Sequence, residues 1–199
     1  MKMFFLKKIL FLLPVLNLIS EDIFAKNAQK KTISKKSKKK SMLKKPEPVR
    51  KADPLFHRTF LPISKEDSEK SETTPVSLAQ LAKGRPVLLI LWAPWCGPCI
   101  GEMPSVQKLY QSRPDLAVVP VSIDGTAEGE LSLQNINTLP LYYTQNAEEF
   151  LQGKNITAVP TALLFDQYGQ IVWIVTGKKD WSSDASVKEI FSKLRDKNN

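Results

Sequence analysis

The chain has 199 residues, 42% of them hydrophobic, which is material for one ordinary domain with a core once N-terminal segments are set aside. It holds two cysteines and one histidine, His57, so a framework of several disulfides and a His-rich zinc site are excluded, as are Cys/His or Ser/His/Asp catalytic arrangements not centred on His57. The formal net charge of +9 is concentrated in one stretch and does not describe the folded part.

Met1 to Lys8 carries Lys2, Lys7 and Lys8, and an apolar run from Ile9 to Ile19 follows before the polar Ser20-Glu21-Asp22. This is the pattern of a secretory signal, assigned to residues 1–25. The run is shorter than the ~20 apolar residues that cross a bilayer and contains Pro14, which favours cleavage over a permanent anchor. Ala25 is the candidate cleavage point, although Ile23 is large for a small-x-small pattern. No cysteine lies nearby, so a lipidated N-terminal cysteine is ruled out.

Between Lys26 and Lys51 stand twelve Lys or Arg and a single acid, Glu47. Such a block has almost nothing to bury and reads as a disordered linker over residues 26–52. From Ala52 to Asn199 there are 14 basic and 17 acidic residues, a formal charge of -3. A nucleic-acid reading needs a basic folded surface with base-reading groups, which this distribution does not supply. The linker is either a solvated spacer or a tether to an anionic membrane surface, where each Lys or Arg contributes ~1 kcal/mol.

The remaining residues, 53–199, read as the folded domain. A short strand is expected around Phe56 to Leu61, and a short helix over Ser77 to Lys83 ended by Gly84. Pro86 to Trp92 is a continuous apolar run of strand length, the pattern of a central strand buried on both faces. It leads directly into Cys96 and Cys99, after which Ile100, Met103, Val106, Leu109 and Tyr110 recur at helical spacing to about Ser112. The cysteines therefore sit at a strand-to-helix junction. Leu116 to Ile123 is a second apolar strand, for which Pro120, lacking a ladder donor, predicts an edge position or a bulge. Leu141 to Thr144 is a short strand, and Asn146 with Glu149 reads as a capping pair for a helix from Ala147 to Gln152. Thr161 to Asp166 and Ile171 to Thr176 form an antiparallel hairpin, and Val187, Ile190, Phe191 and Leu194 mark a terminal helix capped by Ser183 or Asp184. This order predicts an α/β fold with a mixed sheet flanked by helices.

Two cysteines at i and i+3 in a first helical turn can bring their Cβ atoms to the ~3.8 Å of a disulfide. At the helix N-terminus the sulfur of Cys96 meets free backbone N–H groups and the positive end of the helix dipole, which favour thiolate. A fall in its pKa from ~8.5 to ~7 raises the thiolate fraction at neutral pH about sixteenfold, while lost nucleophilicity removes about fivefold. The rate gain is about threefold, so the lowered pKa acts mainly on redox poise and leaving ability. Cys99, one turn inside, is expected to be more buried and to act second. A zinc half-site and inert structural cysteines are the competing readings; zinc needs two further ligands and only His57 and carboxylates remain.

The segment Trp92-Ala93-Pro94-Trp95-Cys96-Gly97-Pro98-Cys99 resembles the active-site segment of the thioredoxin superfamily, over most of Ser77 to Leu194. Ser77-Leu78-Ala79-Gln80-Leu81, Glu102-Met103-Pro104, and Gly177 followed by Asp180-Trp181 resemble the exported reductases of the TlpA and ResA type. The resemblance implies a thioredoxin-like fold, a redox-active disulfide with no other cofactor and no metal, and protein disulfides as substrates. It further implies a place on the extracytoplasmic side of a bacterial inner membrane or in the periplasm, a membrane-embedded electron donor, and in many relatives a part in cytochrome c maturation. Glu102 occupies the place of a glutamate that tunes the cysteines, whereas Ile90 stands where cytoplasmic thioredoxin has its acid. Pro104 matches a helix-kinking proline. Val159-Pro160-Thr161 matches a loop with a cis-proline, whose Val159 backbone pairs with substrate, and Trp95 would add apolar contact surface. Gly97 and Pro98 complete the active-site loop and resemble the reducing end of the superfamily. An oxidase or isomerase using the same site, and a non-catalytic soft-metal binding module, are the alternatives.

Overall fold

The computed structural model describes residues 50–63, 74–124 and 136–196. The signal assigned to 1–25, and the basic segment as far as residue 49, lie outside the described residues. The described chain enters at Arg50, whose guanidinium lies 5.9 Å from the Tyr168 ring. Asp53 donates its N–H to the Gly169 carbonyl at 2.9 Å, and its carboxylate pairs with Lys154.

Pro54–His57 is a 3-10 turn, followed by β1 (Thr59–Pro62). The expected strand therefore starts later than Phe56. Asp53 accepts the Leu55 N–H at 2.9 Å and Pro54 fixes φ in the first position, so the chain turns there before extending. β2 (Val76–Ser77) leads into α1 (Leu78–Ala82), where Ser77 and Gln80 form a reciprocal capping box. Lys83 and Gly84, at φ 49° and 79°, end that helix.

β3 (Val87–Trp92) is fully buried along all six residues. It is followed by α2 (Gly97–Ser112), β4 (Ala117–Ser122), β5 (Tyr142–Tyr143), α3 (Ala147–Gln152), β6 (Thr161–Phe165), β7 (Ile171–Thr176) and α4 (Asp184–Asp196). Among the described residues the strands form one seven-stranded sheet in the order β2-β1-β5-β4-β3-β6-β7. β3 is parallel to β4 and antiparallel to β6, which is the mixed sheet flanked by helices that the sequence predicts.

The period of two along β3 divides the core. Leu88, Ile90 and Trp92 face a layer containing α2 and α4, with Met103, Val106, Leu109, Ile190 and Leu194. Val87, Leu89 and Leu91 face the other layer, with Leu55, Phe56, Leu78 and Ala82. Each fully buried leucine or isoleucine contributes about 1.5–3 kcal/mol of transfer free energy, so β3, buried on both faces, anchors both layers.

Two sequence expectations need correction. β4 is an interior strand, not an edge, despite Pro120. Ala117 and Ile123 donate their N–H groups to Pro86 and Trp92 beside β3, so by alternation position 120 faces away from β3. On that side β5 pairs only with Val121 and Ser122, and the missing proline N–H has no partner strand to disappoint. The second correction concerns α3, where the Asn146 side chain makes no capping bond. Its own N–H donates to Thr144 Oγ1 at 3.3 Å, and the Glu149 side chain lies outside the described residues. At α4 the choice of cap falls on Ser183, whose Oγ accepts the Ser186 N–H at 3.3 Å.

Candidate active site

β3 delivers the chain to the C-terminal edge of the sheet, where the Cys96 N–H donates to the Ala93 carbonyl at 3.1 Å and closes a turn through Pro94 and Trp95. Cys96 is the N-cap of α2, with Gly97 and Pro98 as its first helical residues. Proline is compatible there because the first N–H groups of a helix have no intrahelical acceptor. Cys96 and Cys99 form a disulfide with Cα atoms 5.2 Å apart. The Cys99 N–H donates to Cys96 Sγ at 3.2 Å, so the helix terminus already points a backbone donor at this sulfur. Cys99 is fully buried and Cys96 is 5% exposed, in keeping with an outer and an inner sulfur.

Trp95 is 69% exposed and stands beside Cys96 as an apolar surface, while Gly97 and Pro98 are also exposed. From the opposite side, the loop before β6 brings the Val159 carbonyl oxygen to 3.6 Å from Cys96 Sγ. The Val159–Pro160 bond is cis and Pro160 is buried. The Pro160 carbonyl accepts the Gly177 N–H at 2.8 Å, which fixes the segment after β7 against this loop. Trp95, Cys96, Gly97, Pro98, Cys99, Val159 and Pro160 thus meet at one end of the sheet. His57 is exposed near β1, edge-on to Phe56, and takes no part.

Glu102 lies one turn beyond Cys99 on α2 and is only 2% exposed. Burial pushes its carboxyl up from 4.5 to about 7, against the opposing effects of the Lys179 backbone N–H, the Trp181 indole and the Lys178 charge. The Lys179 N–H donates to Glu102 Oε2 at 3.0 Å. A carboxyl titrating near neutrality can take or give a proton at working pH. Ile90 is fully buried in the same core as Cys99 and Met103, so β3 contributes no acid here. Pro104 lies within α2, which continues through it.

Sequence reasoning named Asp180-Trp181 only as part of the resemblance and missed that this segment, with Ser105, holds Glu102. Ser105 Oγ donates to the Glu102 carbonyl at 2.7 Å and accepts the Trp181 N–H at 3.1 Å. Lys178 reaches α2 at Gly101, its Nζ 2.9 Å from where a Cβ there would stand. The available signal was the run Gly177-Lys178-Lys179-Asp180-Trp181 directly after a strand, too long and polar for a simple turn.

A disulfide at the start of the helix that follows a central strand, opposed by a cis-proline loop, defines the thioredoxin-like class of domain. Residues 58–190 match the Redoxin family model, and the chain belongs to that family. It is similar to the thiol-disulfide oxidoreductase ResA of Oceanobacillus iheyensis, 35% identical over 120 residues that cover 57% of this chain and 60% of that protein. It is also similar to the thioredoxin-like protein YneN of Bacillus subtilis, 34% identical over 51% of this chain and 62% of that protein. The chain thus spans about three-fifths of the length of these relatives. The thioredoxin domain of a thiol-disulfide oxidoreductase from Bacteroides vulgatus shares the fold with a TM-score of 0.55 at 20% identity, over 71% of this chain and 98% of that one. A secreted disulfide oxidoreductase of Mycobacterium tuberculosis does so with a TM-score of 0.53 at 16% identity, over 73% and 99%.

Proposed function

We propose that this protein is an exported thiol–disulfide oxidoreductase that reduces disulfides in client proteins. The observation that carries the reading is the Cys96–Cys99 pair at the N-terminus of α2, with the Val159 carbonyl facing Cys96. The similarity to the oxidoreductase ResA supports the same chemistry. In the reduced protein the Cys96 thiolate attacks one client sulfur, a Cys96–client disulfide forms, and the other client sulfur leaves as a thiolate and takes a proton. Cys99 then passes its proton to the Glu102 carboxylate and attacks Cys96 Sγ. The mixed disulfide breaks, the second client thiol is released, and the Cys96–Cys99 disulfide is left. The client gains two electrons and the protein loses two, so each turnover requires a dithiol donor, read here as a membrane-embedded partner.

Val159 offers its backbone to an extended client segment, and Trp95 supplies apolar contact beside the reacting sulfur. Residues 1–25 act as the export signal, which places the domain on the extracytoplasmic side of the inner membrane. Clients there include the cysteine pairs of c-type cytochromes before haem attachment, which must be reduced to react. No helix among the described residues is long and apolar enough to cross a membrane.

An insulin-reduction assay with a dithiol donor tests the chemistry: Cys96→Ser abolishes turnover, and Cys99→Ala accumulates a client joined to Cys96 that a reductant releases. Equal activity of Cys96→Ser and the unaltered protein overturns the reading. Direction is tested separately, since a potential near the about -120 mV of strong oxidants would make the protein an oxidase.

A further inference from the structure

Glu102 Oε1 and Trp181 Nε1 are both buried and neither has a hydrogen-bond partner among the described residues. They are not unrelated orphans. The Trp181 indole acts on the Glu102 carboxyl as a donor favouring its charged form, although the pair does not reach good bonding geometry here. Trp92 Nε1 is also buried without a partner, but it is not among the groups acting on that carboxyl.

The surrounding contacts hold the two groups in place. Ser105 Oγ links the Glu102 carbonyl to the Trp181 backbone N–H, and the Lys179 N–H fixes Glu102 Oε2, leaving Oε1 as the free oxygen. Trp181 is 1% exposed and packs edge-to-face on Trp173 with ring centroids 6.3 Å apart, so its indole has little freedom to turn away. Lys179 Nζ pairs with Glu189 at 2.8 Å and lies 5.9 Å from the Trp181 ring. A cavity of about 480 Å³ lined by Glu102, Ser105, Lys108, Lys178, Lys179 and Asp180 connects this corner to solvent.

We infer that Trp181 is a positioning residue for Glu102, its indole N–H standing as the second donor to the ionised carboxylate beside the Lys179 backbone N–H. A protonated Oε1 is a weak acceptor; once the proton leaves, Oε1 becomes a full carboxylate acceptor and the indole N–H can close on it. The two donors then share the carboxylate, which offsets part of the cost of ionising a buried carboxyl. The charged groups that also face it are Lys178 and Lys179 from the segment after β7, with Lys108 of α2 and Asp180 at the cavity rim. The inference rests on the reading of Glu102 as the proton acceptor of Cys99.

The test uses the oxidised full-length protein, in which the cysteines do not titrate. The carboxyl ¹³C resonance of Glu102, identified by its loss in Glu102→Gln, is followed against pH in the unaltered protein and in Trp181→Phe. The indole removal raises the midpoint by about one pH unit, the size of one hydrogen bond to a charged group. In the unaltered protein, where folding is not at issue, the Trp181 Nε1–H resonance shifts with the same midpoint and stops shifting in Glu102→Gln. An indole resonance insensitive to pH 5–9, or an unmoved midpoint in folded Trp181→Phe, overturns the inference. If both NMR results hold but Glu102→Gln leaves the pH–rate profile of the reduced enzyme unchanged, the donor pair stands and the proton-acceptor reading falls.

Discussion

At position 102 the exchange of glutamate for glutamine separates shape from charge, because Gln can still accept the Lys179 N–H through its amide oxygen. The folded protein holds the carboxyl near pKa 7, above the 4.5 of an unconstrained glutamate. Below pH 4.5 the group is neutral folded and unfolded, and it takes nothing from stability. Between about pH 4.5 and 7 the unfolded chain releases the proton first, so stability falls as pH rises, and above pH 7 the loss is constant. Its size is about 3–4 kcal/mol from the separation of the two values. Urea unfolding of the oxidised protein should therefore find Glu102→Gln more stable than the parent by about that amount at pH 8 and equal to it at pH 4. A difference independent of pH would mean that the gain comes from packing. The acid's presence was legible in the sequence, since Glu102 follows Cys99 by one helical turn. Its burial was not, because Lys179 and Trp181, which cover it, arrive from the segment after β7, far along the chain.

Among the elements, the hairpin β6–β7 shows how much a turn can demand of single residues. Asp166 Oδ1 accepts the N–H groups of Tyr168 and Gln170, both at 2.9 Å, and Gly169 closes the turn at φ 78°. A Cβ at Gly169 would stand 2.5 Å from the Phe56 ring, which itself packs against Phe165. Gly169→Ala combines left-handed strain with displacement of a buried ring, and a loss of about 2–4 kcal/mol is expected in urea unfolding, with the disulfide and its chemistry intact. The hairpin and β3 could be read from the sequence because each is long, apolar and bounded by clear breaks. β5 falls within the short strand expected over Leu141 to Thr144, whereas β2, two residues long, exists only through its partner and no local pattern announces it. Pro120 misled for a related reason. The rule that proline avoids central strands concerns the missing donor, and whether a neighbour needs that donor depends on how short β5 is. Asn146 failed as a cap for a local one, its backbone N–H being turned toward Thr144.

Over the whole molecule the charge is divided, twelve basic residues and one acid over 26–51 against a formal -3 from 52 onward. If the basic stretch tethers the protein to an anionic surface, the chain lacking its first 25 residues should sediment with vesicles containing phosphatidylserine at low salt and be released at about 0.5 M salt, where the Debye length is only several ångströms. Sedimentation that ignores salt, or equal binding to neutral vesicles, would leave the stretch as a spacer. The point at which the described chain enters the domain gives this arrangement a direction. Asp53 is bonded to Gly169 and Lys51 to Gln170, at the turn end of β6 and β7. Register places Phe165 beside Val87, where β3 begins, and Thr161 beside Leu91, close to where it ends before Cys96. The entry point and the cysteines are therefore at opposite poles of the sheet. A client that reaches Cys96 thus meets the pole of the sheet opposite the one at which the described chain begins.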